Sequence, residues 1–328
     1  MRLLVIGGTR FVGRHIVDAA LAAGHEVTLF HRGAADDPFP QAEHRHGDRD
    51  GDLAVLAEGE WDATIDVCAY VPRQVRALGD ALGLSGGRGG RYVLVSSVSV
   101  YADAEGPGAT EDAPLAVLED EDTEEVTGET YGGLKALCEY AAVEVFGTSA
   151  LVVRPTYVVG PYDPTGRYTY WVQRLARGGE VVAVGPREQP MQVVDGRDLG
   201  AFVVRLVEDG ASGAVHVAGP RSPYTLEDLL EETRAAVAPE GTTITWVDGA
   251  AAAAAGVTPA DLPLWHGPDL DWLGAVDPAA AFARGFAPRP VGETAADVLA
   301  EREVTPVPDG TGFSPEREAE LLEAAESL

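Results

Sequence analysis

Residues Arg2-Leu3-Leu4-Val5-Ile6 make a continuous apolar run that ends abruptly on Gly7-Gly8-Thr9-Arg10-Phe11-Val12-Gly13. A helix-like segment follows from Arg14 to Ala23, Gly24-His25 ends it, and Glu26-Val27-Thr28-Leu29-Phe30 reads as the next strand. An uninterrupted apolar strand belongs to a parallel sheet covered on both faces. Joined to a glycine turn, a helix and a second strand, it opens a doubly wound α/β domain built to hold a dinucleotide. Glycines in the turn let the backbone approach a pyrophosphate, and the helix amino terminus supplies amide donors and a favourable dipole. Gly7, Thr9, Phe11, Val12 and Gly13 are therefore candidate cofactor contacts. Arg10 stands where a middle glycine is expected, and either covers the phosphates or points to solvent.

The end of the second strand selects the dinucleotide, since an acid there would take the ribose hydroxyls of NAD. This chain has Phe30-His31-Arg32-Gly33, with no acid, so His31 and Arg32 favour the extra phosphate of NADP over NAD. Asp48, in Gly47-Asp48-Arg49-Asp50, either accepts from the adenine amino group or holds a turn. The strand Ala63-Thr64-Ile65-Asp66-Val67 leads into Cys68-Ala69-Tyr70, a turn placed to pass beneath the nicotinamide ribose at Ala69. A further strand, from Arg91, ends in Ser96-Ser97-Val98-Ser99-Val100-Tyr101. The carboxyl ends of parallel strands are where such sheets bind ligands.

Lys135 is the only lysine in the 328 residues, and it follows Tyr131 by four. That spacing puts both side chains on one face of a helix. An ammonium is a compact charge able to adjust its proton affinity, which a guanidinium is not. Beside a phenol it lowers a pKa that is ordinarily about 10, making a general acid/base for a carbonyl oxygen.

The net charge is −29, from 24 basic and 53 acidic side chains. Such a surface repels phosphate backbones, so nucleic acid is not an expected partner. Acid excess with lysine depletion fits a high-salt habitat, a GC-rich genome, or both. No apolar run is long enough to cross a bilayer, and no leader precedes the first strand, so a cytoplasmic location is expected. Cys68 and Cys138 lack metal-ligand spacing and are expected to be separate thiols; no metal site is expected.

Four segments in order, Gly7 to Gly13, Ser96 to Tyr101, Tyr131 to Lys135 and Arg154-Pro155-Thr156-Tyr157-Val158-Val159-Gly160-Pro161, resemble the extended short-chain dehydrogenase/reductase superfamily, in its NAD-dependent epimerase/dehydratase family. The likeness runs over roughly residues 1–300. It implies Tyr131 as catalytic acid/base, Lys135 as the residue that holds the nicotinamide ribose and tunes the tyrosine, and Ser97 as the hydroxyl that binds the substrate oxygen. It also implies that Pro155, Thr156, Tyr157 and Val158 close over the nicotinamide carboxamide. Two departures matter. Family dehydratases carry Asp-Glu directly after the position of Ser97, where this chain has Val98 and Ser99. Nucleotide-sugar epimerases carry a diphosphate-binding arginine where this chain reads Met191, which cannot hold phosphate; Arg167, Arg174 or Arg187 would have to substitute. A subgroup beginning Gly-Gly-Thr-Arg-Phe looks closer, and includes more distant chloroplast RNA-binding relatives.

These readings predict a Rossmann-type α/β domain (1–159 plus about 180–218) with a smaller α+β substrate domain (about 160–179 and 219–328). Tyr168, Tyr170 and Trp171 either line a pocket or pack onto the core, and Trp265 and His266 are expected in a core or interface. Strands are expected at 180–184, 214–218 and 242–247, helices from Thr225 to about Ala236 and from Ser314, and a solvated, mobile loop at the acidic stretch 119–125. The expected activity is hydride transfer between NADP(H), or NAD(H), and a small alcohol/ketone, with a homodimer left open. The alternatives are a sugar epimerase that keeps its NAD, and a non-catalytic nucleotide- or RNA-binding protein.

Overall fold

The computed structural model describes residues 1–33, 38–83, 89–101, 107–266, 268–301 and 307–326. Along the first half run β1 (Arg2–Ile6), α1 (Phe11–Ala22), β2 (Glu26–His31), β3 (Glu43–His46), β4 (Ala63–Asp66), α2 (Pro72–Ala81), β5 (Arg91–Val95), α3 (Tyr131–Phe146) and β6 (Leu151–Pro155). The second half adds β7 (Tyr157–Val159), α4 (Arg167–Ala176), β8 (Glu180–Val184), β9 (Val193–Asp195), α5 (Gly196–Glu208), β10 (Gly213–Val217), α6 (Leu226–Val237), β11 (Thr243–Val247), α7 (Gly249–Ala254), α8 (Ala279–Ala283), α9 (Val291–Ala300) and α10 (Pro315–Glu326).

Among the described residues, seven strands form one sheet in the order β10-β6-β5-β4-β1-β2-β3, every neighbouring pair parallel. The order reverses between β1 and β4, the switch point at which doubly wound sheets open a ligand crevice. Leu3, Leu4, Val5 and Ile6 are at most 1% exposed, so the apolar run is the central strand that its composition demands. α1 and α5 cover one face, while α2 and α3 pack together as neighbours.

The chain separates into two compact units. The first comprises Met1–Thr156, Gly196–Ala218 and Val276–Ala287; the second comprises Tyr157–Asp195, Gly219–Ala275 and Pro288–Leu328. The boundaries differ from the sequence expectation in three places, the first being that residues 157–159 fall in the second unit. β8 pairs in parallel with β11 and so takes 180–195 into the second unit. Residues 276–287 return to the first, where the Asp277 carbonyl bonds the His216 ring at 2.9 Å.

The second unit is organised around α4, whose Tyr168, Tyr170 and Trp171 are buried core residues, as are Trp265 and His266. Thr225 caps α6 by accepting the Asp228 amide at 3.1 Å, with Asp228 returning the bond. Ser314 accepts the Arg317 amide at 3.2 Å at the start of α10. Among the described residues, no helix is long and apolar enough to cross a membrane.

Candidate active site

The glycine turn is compact because its glycines permit what other residues do not. Gly7 and Gly8 have φ of +95° and +136°, a region that costs side-chain-bearing residues dearly. A Cβ on Gly13 would lie 2.9 Å from the Gly8 Cα, so α1 can start this close to the turn only with glycine there. The Gly7 amide donates to the Phe30 carbonyl at 2.9 Å, tying the turn to the end of β2. Arg10 is the amino cap of α1, exposed, with no side-chain capping bond, so the amides of the first helical turn are not taken up by its cap. Thr9, Phe11 and Val12 are half-buried beside it.

At the end of β2 the expected phosphate readers part company. Arg32 is exposed, whereas His31 is buried. The His31 Nδ1 accepts the Gly33 amide at 3.1 Å, and its Nε2 meets Nδ1 of His44 at 2.8 Å. Both ring nitrogens of His31 are thus engaged within the protein. Asp48 is exposed and its Oδ1 accepts the Asp50 amide at 3.0 Å, which is the turn role. Its neighbour Arg49 forms a buried two-pronged pair with Asp66, at 2.7 and 3.0 Å, and Tyr92 donates to the same carboxylate at 3.1 Å. Sequence reasoning missed this pair. Arg49 and Asp66 are seventeen residues apart and meet only through the sheet.

Lys135 is 3% exposed, on α3 one turn beyond Tyr131. Its Nζ donates to the Ala69 carbonyl at 2.9 Å and to the Val95 carbonyl at 2.7 Å. It lies 5.6 Å from the centre of the Tyr70 ring. Burial holds the ammonium below its usual pKa range, and the two carbonyls stabilise the charge that remains. Two of its three donors are used in this way, leaving the third for a ligand hydroxyl.

Ser97 caps the short turn Val98–Val100: its Oγ accepts the Ser99 amide and donates to the Ser99 hydroxyl, both at 3.1 Å. A Cβ on Gly132 would stand 2.1 Å from the Ser99 carbonyl oxygen, so the helix carrying Tyr131 docks directly on the turn carrying Ser97. The glycine after Tyr131 is what lets the two segments touch. Behind them lies a buried polar network. Ser96 donates to Glu139 at 2.5 Å, Arg154 grips Glu139 at 3.0 and 2.6 Å, and Arg154 donates to the Tyr101 hydroxyl at 2.6 Å. Tyr101 in turn bonds His216. Burial raises the Tyr101 phenol to about 12, so it serves as a fixed hydrogen-bonding group. Removing one partner of a pair as buried as Arg154–Glu139 costs about 3–5 kcal/mol.

Pro155 ends β6 and Thr156 follows it, buried, with a hydroxyl that has no hydrogen-bond partner among the described residues. Tyr157 and Val158 enter β7, where Arg167 lies over the Tyr157 ring at 5.2 Å. A dinucleotide suits these features: a strained glycine turn, a helix terminus without a side-chain cap, an unsatisfied hydroxyl and a spare ammonium donor. Two of the three substitute arginines are paired with carboxylates, whereas Arg167 is exposed and bonds only the Thr165 hydroxyl, at 3.2 Å. Arg174 is buried against Glu318 at 2.7 Å, Arg187 pairs with Glu227 at 3.0 Å, and Met191 is wholly buried. The acidic stretch is solvated, and within it Glu124 pairs with the half-exposed Arg73 at 2.8 and 2.9 Å. Among the described residues no group of three or more His, Cys, Asp or Glu side chains is arranged to hold a metal ion.

Residues 3–219 match the family described as "NAD dependent epimerase/dehydratase family". The chloroplast stem-loop binding protein of 41 kDa b from Arabidopsis thaliana is 25% identical over 249 residues, covering 70% of this chain. The match spans 61% of that relative, less than two thirds of its length. Among solved structures, UDP-N-acetylglucosamine 4-epimerase from Bacillus cereus aligns over 92% of this chain and 99% of its own, at TM-score 0.69 and 15% identity. UDP-glucuronic acid 4-epimerase from Bacillus cereus, in complex with NAD, covers the same shares at TM-score 0.66 and 15% identity. These similarities are of fold.

Proposed function

The chain belongs to the NAD dependent epimerase/dehydratase family, and on that premise we propose that it catalyses hydride transfer between a nicotinamide dinucleotide and the alcohol or ketone carbon of a small molecule. The observation that carries this is the buried Lys135 ammonium, pinned by two carbonyls one helical turn from Tyr131. A nicotinamide dinucleotide, when bound, would supply or accept the hydride. Tyr131 gives its phenolic proton to the substrate oxygen in the reducing direction and takes it back in the other. Ser97 holds that oxygen by a hydrogen bond. Lys135 keeps the phenol's proton affinity low and offers its third donor to the ribose. Thr156 and the amides of the glycine turn fix the cofactor in place.

Simple oxidation or reduction is the first reading, because Val98 and Ser99 provide no acid for eliminating water and two of the three candidate diphosphate arginines, Arg174 and Arg187, are paired elsewhere. Epimerisation with a retained cofactor is the second, favoured by the solved relatives. Arg32 and the missing acid at the end of β2 favour NADP; the engagement of both His31 ring nitrogens, and the NAD in the Bacillus cereus UDP-glucuronic acid 4-epimerase, favour NAD. Stem-loop binding, as in the name of the chloroplast relative, is opposed by the charge of −29.

The test is a panel of ketones, aldoses and UDP-sugars followed by nicotinamide absorbance, with Tyr131→Phe alongside. Wild-type turnover that falls by about 10²–10⁴ in the variant, with the fold retained, is the expected result. Equal rates in both would remove Tyr131 from the reaction. RNA retention unaffected by cofactor and by Tyr131→Phe would favour the other class.

A further inference from the structure

Among the described residues, Lys135 is buried without a carboxylate of its own. Asp66 and Glu139, the acids whose charge reaches it, are held by Arg49 at 2.7 Å and by Arg154 at 2.6 Å. A buried ammonium outside an ion pair gives up its proton unless other groups stabilise its charge. The Ala69 and Val95 carbonyls are two such groups. The third is the ring of Tyr70, whose centre lies 5.6 Å from Nζ. An aromatic face attracts a cation within about 6 Å through its quadrupole, most strongly where water is excluded. That attraction uses up no N–H, so the donor left for a ligand hydroxyl is kept.

Ala69 and Tyr70 are neighbours, and one turn therefore gives the ammonium both a carbonyl and a ring. The turn is fixed from α2. Gln74 Oε1 accepts the Tyr70 amide at 2.8 Å and the Val71 amide at 3.4 Å, while Gln74 Nε2 donates to Asp50 at 2.9 Å. Tyr70 itself is 44% exposed and lines an open groove of about 470 Å³ with Arg73, Gln74, Glu124 and Val126. So exposed a ring adds little to the core, and the ammonium beneath it gives the aromatic residue its reason.

The titratable and charged groups around Nζ, among the described residues, come from four elements. Asp66 belongs to β4, Cys68 and Tyr70 to the turn after it, and Tyr131, Cys138 and Glu139 to α3. Of the charges on α2, Arg73 and Arg76 pair with Glu124 and Glu144, and Asp80 is exposed. Burial keeps both thiols protonated.

We propose that Tyr70 is a positioning residue for the reaction, its ring holding the Lys135 ammonium charged and in place beside the two carbonyls. The inference rests on the reading that this ammonium serves Tyr131 and a nicotinamide dinucleotide. An uncharged Lys135 would neither lower the proton affinity of the phenol nor offer the ribose a charged donor. The ring thus acts on the chemistry through the lysine.

Because Lys135 is the only lysine, full-length protein grown on lysine labelled with carbon-13 at Cε gives a single signal. Its titration is followed by NMR from about pH 7 to about pH 11 in wild type, in Tyr70→Phe, which keeps the ring, and in Tyr70→Leu, which removes it. The midpoint is expected to fall by about 0.5–1.5 pH units in Tyr70→Leu and to stay at the wild-type value in Tyr70→Phe. A purely structural role predicts the opposite, since water admitted by a loosened turn would raise the midpoint. Three equal midpoints, a rise in Tyr70→Leu, or an equal fall in both variants overturns the proposal. Should Tyr70→Leu not fold, wild type decides alone: the ring current is expected to hold the ε-methylene protons of Lys135 upfield of their place in free lysine, and no displacement overturns the proposal. The titration needs neither cofactor nor substrate. Midpoints that move as expected in protein that binds neither NADH nor NADPH would sink the dinucleotide reading and leave the ring's hold on the ammonium standing; equal midpoints in protein that binds a dinucleotide would do the reverse.

Discussion

Lys135 shows how far a single residue can be read from the sequence. Its uniqueness and its spacing from Tyr131 mark it as chemical, and the structure supplies the burial and the two carbonyl partners. Burial lowers its pKa, so folding penalises the charged form. That penalty is present at pH below the folded pKa and is relieved as pH rises through it. The same argument, with opposite sign for an acid, applies to the thiols. Burial pushes Cys138 up to about 12 and raises Cys68 as well. Since the thiolate is the reactive species, neither is expected to react with a thiol-disulfide reagent at neutral pH until the protein unfolds. Rapid labelling of the native protein would show one of them to be reactive. His31 shows the limit of such reading: nothing in Phe30-His31-Arg32 reveals that His44, thirteen residues on, takes its ring nitrogen.

Among elements, the most consequential contact is that of α3 on the serine turn, and it depends on Gly132. Glycine after the tyrosine looks like a weakness in a helix, costing about 1 kcal/mol against alanine. The structure gives the reason for it, since a Cβ would press on the Ser99 carbonyl at 2.1 Å. Gly132→Ala is therefore expected to displace Tyr131 from Ser97 and lower turnover by at least about tenfold, because small misplacements of reacting groups are costly. The melting temperature should fall as well, since overpacking of this kind costs about 1–3 kcal/mol, and cofactor affinity should be less affected than turnover. Unaltered kinetics in this variant would mean that the docking does not position the tyrosine. The strand–turn–helix opening, the capped α6 and the start of α10 were legible because their signals are local. The pairing of β8 with β11, which moves 180–195 into the second unit, was not, since an apolar strand does not name its partner.

At the scale of the whole molecule the dominant quantity is the charge of −29. Like charges in a folded chain repel, and salt screens them over about 10 Å at 0.1 M and about 3 Å at 1 M. The melting temperature is expected to climb as sodium chloride is raised across that range; a flat or falling curve would show that the surface carboxylates are balanced locally. The fold class was legible because four ordered segments sit on one architecture. The substrate was not, because its site draws on side chains that no local pattern marks. The central claim is that the Tyr131–Lys135 face and the glycine turn hold a working dinucleotide. The most direct measurement is calorimetric titration of cofactor-stripped protein and of Lys135→Met with NADH and NADPH, in high salt at fixed pH. The account predicts that wild type binds at least one of the two, and that the folded variant binds it about tenfold or more weakly, a loss of about 1.4 kcal/mol. Equal affinity in the two proteins, or no binding by folded wild type, would contradict it.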